Sequence, residues 1–201
     1  MTPIRKLFIA NRAEIALRIV RTARRLGITT VVPRHDKDRH GPALQEADET
    51  VPLFGEPPVS AWLDGAGLIR AALEAGADAI HPGYGFLSEN AGFAQAVTEA
   101  GLTFVGPGAD AIRLMGDKIS ARHFAVQHGV PVTPSADEAD DPATFADRAR
   151  AVGFPLLIKG AAGGGGKGMQ IVRDPAALAD AIGIARSESQ RYFGDGRLFA
   201  E

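Results

Sequence analysis

Apolar residues fall into two spacings along the first half of the chain, and the two alternate. Lys6-Leu7-Phe8-Ile9-Ala10 is a short apolar run of strand character. Ile15, Ala16, Ile19, Val20, Ala23 and Leu26 then recur three and four apart, one stripe of a helix. Arg21, Arg24 and Arg25 occupy its last turns, where cations complement the dipole, and Gly27 is placed to end it. Thr29–Val32 reads as a β-branched strand closed by Pro33. The pattern then predicts a helix over Ala61–Ala75, a strand over Asp78–His81, a helix over Asn90–Ala100 and a strand over Leu102–Val105. His35–Gly41 reads as a charged loop, and Phe54–Pro58 as a Pro/Gly connection. Strands separated by helices of about ten or more residues require crossovers. Residues 1 to about 112 are therefore expected to form one doubly wound α/β layer on a parallel sheet.

After Pro107 the rhythm changes. Ala109–Met115 and Asp117–His128 read as two linking helices, and Val130–Thr133 as a short strand bounded by Pro134. Asp141-Pro142 opens a helix running to about Val152, with Asp as cap and Pro in the first turn. Phe154–Lys159 and Met169–Val172 read as strands. Asp174-Pro175 opens a long helix, and Arg197–Glu201 is a strand that stops within an apolar run. Residues 130–201 are thus expected to form an α+β module with a small antiparallel sheet.

Composition narrows the function classes. The chain has 201 residues, 45% hydrophobic and 23% charged, which fits a globular protein and not a disordered one. Lys+Arg 22 against Asp+Glu 24 leaves −2, which excludes a broad electrostatic footprint for nucleic acid. No apolar run approaches the roughly 18 residues of a membrane span, and Met1–Arg12 lacks the pattern of a signal peptide, so a cytoplasmic protein is expected. The absence of Cys excludes a disulfide framework and a thiolate metal site.

The strongest chemical signal is Gly163-Gly164-Gly165-Gly166-Lys167-Gly168. A dinucleotide fingerprint must join a strand to a helix, whereas this loop joins two strands. A P-loop needs Ser or Thr after its Lys, and here Gly168 follows Lys167. What remains is a glycine hairpin of the kind protein kinases use to cover ATP phosphates. Glycine lets backbone N–H groups approach phosphate oxygens and permits positive φ. Lys159, at the end of the preceding strand, is placed to add a point charge. The competing reading is a flexible hairpin, which four consecutive glycines disfavour on entropic grounds. Lys118 starts the second linking helix and can equally be a solvated surface lysine; Lys167 can touch phosphate or keep the loop soluble.

A second cluster, His81-Pro82-Gly83-Tyr84-Gly85-Phe86-Leu87-Ser88-Glu89-Asn90, follows a strand and leads into a helix, with Ser88 or Asn90 able to cap it. Loops at that end of an open α/β sheet bind ligands; an ordinary βα turn with buried Tyr84 and Phe86 is the alternative. The first βα turn, Ala10-Asn11-Arg12-Ala13-Glu14, has no glycine, so it does not cradle pyrophosphate. His35 and His40 lie in the charged loop and are not read as a metal site.

In order and spacing, Phe8–Ala16, His81–Asn90, Gly116-Asp117-Lys118, and Lys159 with Gly163–Met169 resemble biotin carboxylase, the ATP-grasp component of biotin-dependent carboxylases. The resemblance runs over the whole chain. It implies a Rossmann-like pre-ATP-grasp domain over 1–112, linking helices over 113–129, and an ATP-grasp lid subdomain over 130–201. It further implies use of ATP, Mg²⁺ and bicarbonate to form carboxyphosphate and carboxylate biotin on a carrier. The partners it implies are a biotin carboxyl carrier, a carboxyltransferase and a second copy in a homodimer. By position, Lys118 and Lys159 resemble the phosphate-contacting lysines and Gly163–Gly168 with Lys167 the lid loop. Met169 resembles a residue lining the adenine pocket and Glu201 the acid beside the adenine. His81, Gly83, Tyr84 and Gly85 are candidates for a loop on the biotin or bicarbonate side.

Departures are Ala13 in place of a usual glycine, Gly160 where alanine is common, and Pro33-Arg34-His35 where an aromatic residue and serine are usual. The family's catalytic residues and metal ligands are expected downstream of Glu201, with none carried within the chain. The chain is therefore expected to be a fragment, inactive alone and lacking the C-terminal ATP-grasp half. The rival readings are another ATP-grasp ligase, such as a carbamoyl-phosphate synthetase or an amino-acid ligase, and a non-catalytic binding module.

Overall fold

Short β-branched and aliphatic runs separated by amphipathic helices leave one economical solution, a parallel sheet covered on both faces. A computed structural model of the chain describes residues 3–38, 40–138, 141–162 and 168–201. It divides into two compact units, Met1–Arg113 and Leu114–Glu201.

The first unit contains β1 (Lys6–Ile9), α1 (Ala13–Arg25), β2 (Thr29–His35), α2 (Pro42–Glu46), β3 (Glu49–Leu53), α3 (Pro58–Ala61), α4 (Gly65–Glu74), β4 (Ala79–His81), α5 (Ala91–Glu99), β5 (Thr103–Phe104) and the start of α6 (Ala109–Gly116). The sheet order is β3-β2-β1-β4-β5, with every pair parallel. Alternation along β1 feeds two cores. Leu7 and Ile9 pack against Ile19, Val20 and Ala23 of α1, while Phe8 and Ala10 face Trp62, Leu68 and Phe93. The doubly wound layer expected from the pattern is therefore the one observed.

Three local expectations fail, each for a physical reason. Pro33 does not close β2. Pairing with β1 ends at Val31, so the missing N–H of Pro33 costs no bond on that side, and the strand continues beside β3 to His35. His35 leaves the charged loop and is buried, its Nε2 within 3.0 Å of the Gly55 carbonyl and its Nδ1 accepting from the Lys37 N–H (3.2 Å). The helix expected over 61–75 is two helices, because Asp64 caps α4 by accepting from Gly67 N–H at 2.9 Å. Strand β3 has no strong periodic signal: Glu49, Thr50 and Pro52 are exposed, and only Leu53 is buried.

The second unit contains α7 (Lys118–Gln127), β6 (Ala136–Asp137), α8 (Phe145–Val152), β7 (Leu156–Gly160), β8 (Gln170–Val172), α9 (Leu178–Phe193) and β9 (Leu198–Ala200). Single 3-10 turns at Pro142–Thr144 and Pro175–Ala177 lead into α8 and α9, capped by Asp141 and Asp174 as the Asp-Pro pairs predict. The antiparallel sheet has the order β6-β9-β7-β8. One face is closed by α8 and α9, where Phe145, Leu156, Ile158, Leu178, Ile182 and Leu198 form the core. The strand expected over Val130–Thr133 is absent. Pro131 and Pro134 remove donors, Val130 and Val132 are exposed, and the edge pairing with β9 is made by Ala136–Asp137 instead.

Accepted backbone hydrogen bonds hold several carboxylates below their ordinary pKa. Asp78 accepts from Arg5 and Lys6 N–H (2.8 Å each), and Asp48 from the Thr30 N–H and hydroxyl (2.8 Å each). For Asp117 burial pushes upward, but bonds from Ser120 N–H (2.8 Å) and Arg197 Nη2 (3.0 Å) override it and leave the carboxyl depressed.

A depressed folded value stabilises above the ordinary value of 3.8 and is lost as pH falls through it. The melting temperature is therefore expected to fall below about pH 4, and Asp78→Asn to lower it at neutral pH while flattening its acid dependence, read by calorimetry. Ala13 stands at φ 51°, in the left-handed region that costs a Cβ-bearing residue about 1–2 kcal/mol. Ala13→Gly is expected to raise the melting temperature by a few degrees, and Ala16→Gly, in the buried helix face, to lower it.

Candidate functional site

The side-chain period of two along β7 and β9 separates core from chemistry. Leu156, Ile158, Leu198 and Ala200 enter the core under α8 and α9. Lys159, Phe199 and Glu201 consequently lie on the opposite face. Register places Lys159 opposite Phe199, and Glu201 is held by paired backbone bonds to Leu157, N–H to O at 3.0 Å and O to N–H at 2.7 Å. The Lys159 ammonium lies 5.6 Å from the Phe199 ring centroid and forms an ion pair with Glu201 Oε1.

Arg122, from α7, completes the cluster. Its Nη1 is 3.6 Å from Glu201 Oε2, and it donates to Ser135 Oγ (2.7 Å) and Thr133 Oγ1 (3.2 Å). The Thr133 hydroxyl also approaches Glu201 Oε2 at 3.4 Å. Two cations thus share one carboxylate, leaving a surplus of one positive charge on a half-buried surface. The Lys159, Glu201 and Arg122 side chains are 20%, 25% and 13% exposed, which limits solvent screening without excluding a ligand. Such a cluster can exchange an internal carboxylate for an external anion.

The remaining candidates of this unit surround it in the chain. Lys118 starts α7, its N–H donating to Ala161 O (3.2 Å), and Ile119, Ala161 and Phe199 form a small apolar cluster. Asp117 caps that helix through Ser120. Gly168 is buried at φ +70°, and Met169 is 40% exposed just before β8. Gly163, Gly164, Gly165, Gly166 and Lys167 lie outside the described residues. A lysine beside glycines, an aromatic floor and an exposed Met fit a nucleotide with an anionic tail. They do not fit a divalent cation: the Glu201 carboxylate is already shared by two cations, and among the described residues no group of three His, Asp or Glu converges.

The His81–Asn90 loop belongs to the first unit and is fastened from within. Buried Asn11 donates through Nδ2 to Pro82 O (2.7 Å) and Tyr84 O (3.0 Å), while its Oδ1 accepts from Arg12 N–H (2.9 Å). A Cβ on Gly83 would meet Asn11 and Ile15 closer than 3.0 Å, and Gly83 and Gly85 stand at φ +67° and +72°. His81 Nδ1 accepts from Gly83 N–H (3.0 Å); burial, then the charge of Arg18, holds its pKa below the usual histidine value. The imidazole is neutral at pH 7 with its lone pair engaged. Phe86 stacks on Trp62 with centroids 6.0 Å apart, whereas Tyr84, expected buried in an ordinary turn, is exposed. Asn90 supplies the cap of α5, accepting from Phe93 N–H at 2.8 Å.

Reading the sequence residue by residue missed Arg122, Thr133 and Asn11. Arg122 lies four residues beyond Lys118 on one helix, a spacing that puts both on one face. Thr133 and Asn11 carry no such signal.

Residues 3–112 match a family model described as biotin carboxylase, N-terminal domain, and residues 117–201 match one described as carbamoyl-phosphate synthase L chain, ATP binding domain. Biotin carboxylase of Haemophilus influenzae is 44% identical over 200 residues, covering 98% of this chain and 45% of that protein. The mitochondrial methylcrotonoyl-CoA carboxylase subunit alpha of Glycine max is 45% identical over 199 residues, covering 98% and 27%. Among solved structures, the biotin carboxylase–β,γ-ATP complex of Campylobacter jejuni superposes with a TM-score of 0.94 at 37% identity, covering 99% of this chain and 45% of that one. The biotin carboxylase domain dimer of Hydrogenobacter thermophilus 2-oxoglutarate carboxylase, in complex with MgADP, ADP and bicarbonate, gives 0.93 at 38%, covering 100% and 44%. The chain spans less than half the length of these relatives. With its first 110 or so residues matching that N-terminal domain and its whole length resembling these enzymes, the chain belongs to the biotin carboxylase family.

Proposed function

We propose that this chain is the N-terminal part of a biotin carboxylase that uses ATP and bicarbonate to carboxylate biotin on a carrier protein. The observation that carries the reading is the Lys159–Glu201–Arg122 cluster on the face of β7 and β9 opposite α8 and α9, in a chain 44% identical to a biotin carboxylase over 98% of its length. Residues 1–112 act as the pre-ATP-grasp domain, 113–129 as linking helices and 130–201 as the lid subdomain. Biotin carrier and carboxyltransferase are the partners, a second copy is the homodimer mate, and the cytoplasm is the compartment. Among the described residues no helix is long and apolar enough to cross a membrane.

In this reading Lys159 exchanges Glu201 for phosphate oxygens when nucleotide binds, while Arg122 retains the carboxylate. Ion-pair exchange keeps both charges compensated, which lowers the cost of binding an anion at a half-buried lysine. Lys118, Lys167 and the backbone of Gly163–Gly168 contact the phosphates. Met169 and Glu201 border the base. ATP supplies the activated phosphoryl group. The chain's own residues position it and stabilise charge, the main routes to phosphoryl transfer. His81, Gly83, Tyr84 and Gly85 form the biotin or bicarbonate side, and the Tyr84 side chain is exposed there. A carbamoyl-phosphate synthetase shares the ATP-binding family model over 117–201, but the first 110 or so residues favour the carboxylase.

Two experiments test the proposal. Lys159→Ala is expected to weaken ATP by about 10- to 100-fold, the worth of one charge-assisted phosphate contact, with adenosine affinity little changed in calorimetric titration. Equal loss for both ligands contradicts a phosphate role. The complete gene product is expected to hydrolyse ATP only with bicarbonate and faster with free biotin; indifference to biotin contradicts the carboxylase assignment.

A further inference from the structure

Along α9 the inward stripe runs Leu178, Ile182, Ala185 and Ser189. Three apolar residues are thus followed by a fully buried hydroxyl, and Ser189 Oγ has no hydrogen-bond partner among the described residues. Leaving a buried hydroxyl unpaired is unfavourable, and alanine there would avoid that cost. The geometry of two glycines accounts for the exception. A Cβ built on Gly160 would overlap Ser189 Oγ and lie 3.1 Å from Ser189 Cβ. One built on Gly168 would come within 2.5 Å of the same oxygen. Gly160 ends β7 directly after Lys159, and Gly168 precedes Met169 and β8. One oxygen of α9 therefore packs against both stems of the glycine-rich segment.

We propose that Ser189 is a positioning residue, whose hydroxyl packs against both Gly160 and Gly168 and so sets where β7 delivers the Lys159 ammonium. The inference rests on Lys159 being a phosphate contact, as proposed above, and its test includes readouts that do not. Ser189 touches neither Lys159 nor Glu201 in any described contact, so its effect travels through the backbone of Gly160. On its other edge that backbone is held by β9, through the Gly160–Leu198 register and the bond from Ala161 N–H to Arg197 O at 2.8 Å.

A double-mutant cycle separates positioning from packing. Ser189→Ala is expected to leave the melting temperature unchanged or slightly raised, yet to weaken ATP about three- to tenfold with adenosine unaffected. It is also expected to speed hydrogen exchange at the Ala161 amide. Gly160→Ala alone is expected to lower the melting temperature by several degrees. The pair Gly160→Ala with Ser189→Ala should recover most of that loss and restore slow exchange, because the new methyl occupies the space the oxygen leaves. Wild-type ATP affinity in Ser189→Ala, or a double variant no more stable than Gly160→Ala, overturns the proposal. If the complete wild-type gene product binds neither ATP nor adenosine, the nucleotide reading fails instead. The stability cycle and the exchange rate then decide the role of Ser189: a non-additive cycle with faster exchange in Ser189→Ala supports it, and an additive cycle with unchanged exchange overturns it.

Discussion

Lys159 can serve as a site residue only because its neighbours Ile158 and Gly160 point the other way. In a strand, successive side chains alternate, so burying Ile158 with Leu198 and Ala200 under α8 and α9 commits Lys159, Phe199 and Glu201 to the opposite face. A slip of one residue would drive an ammonium and a carboxylate into an apolar core, at a cost that no pairing there would offset. The hydrophobic core thereby sets the register, and the register assembles the charged cluster. Arg122 then shares the carboxylate, so that the site keeps a surplus positive charge while every charge in it has a partner.

The two units treat their loops differently. In the first, the sheet order reverses between β1 and β4, where an open α/β sheet usually leaves a crevice for ligand. Here Asn11 fills that position, bonding to Pro82 O and Tyr84 O, and Gly83 lies too close to Asn11 and Ile15 to carry a side chain. The stretch His81–Asn90, which carries part of the family resemblance, is thus accounted for in large part by fastening of the loop to itself and to Asn11 just after β1. Tyr84 is the exception: it is exposed on a loop whose backbone is otherwise held. In the second unit α8 and α9 cover one face of the sheet, and the Lys159–Glu201–Arg122 cluster lies on the other.

Two departures from the family pattern acquire a physical context. Ala13 takes a left-handed conformation at the first residue of α1, the backbone state that a glycine would occupy without strain. Gly160 lies against Ser189, so a smaller residue on β7 is matched by a polar one on α9.

What the sequence determined by itself was local or periodic. Alternating strand and helix signals sufficed for the parallel layer, Asp-Pro pairs marked the starts of the turns before α8 and α9, and Lys159 stood out beside its glycines. Elements without periodicity were illegible: β3 exposes most of its residues, and β6 is a two-residue edge strand whose place was wrongly given to Val130–Thr133. The tertiary structure alone decided which distant residues meet. Arg122, Thr133, Lys159 and Glu201 come together because an antiparallel register and a helix bring them there. Asn11 reaches a loop 71 residues away, and Ser189 reaches two glycines on other strands' ends. Pairings of that kind depend on packing between elements, which no pattern within a single segment encodes.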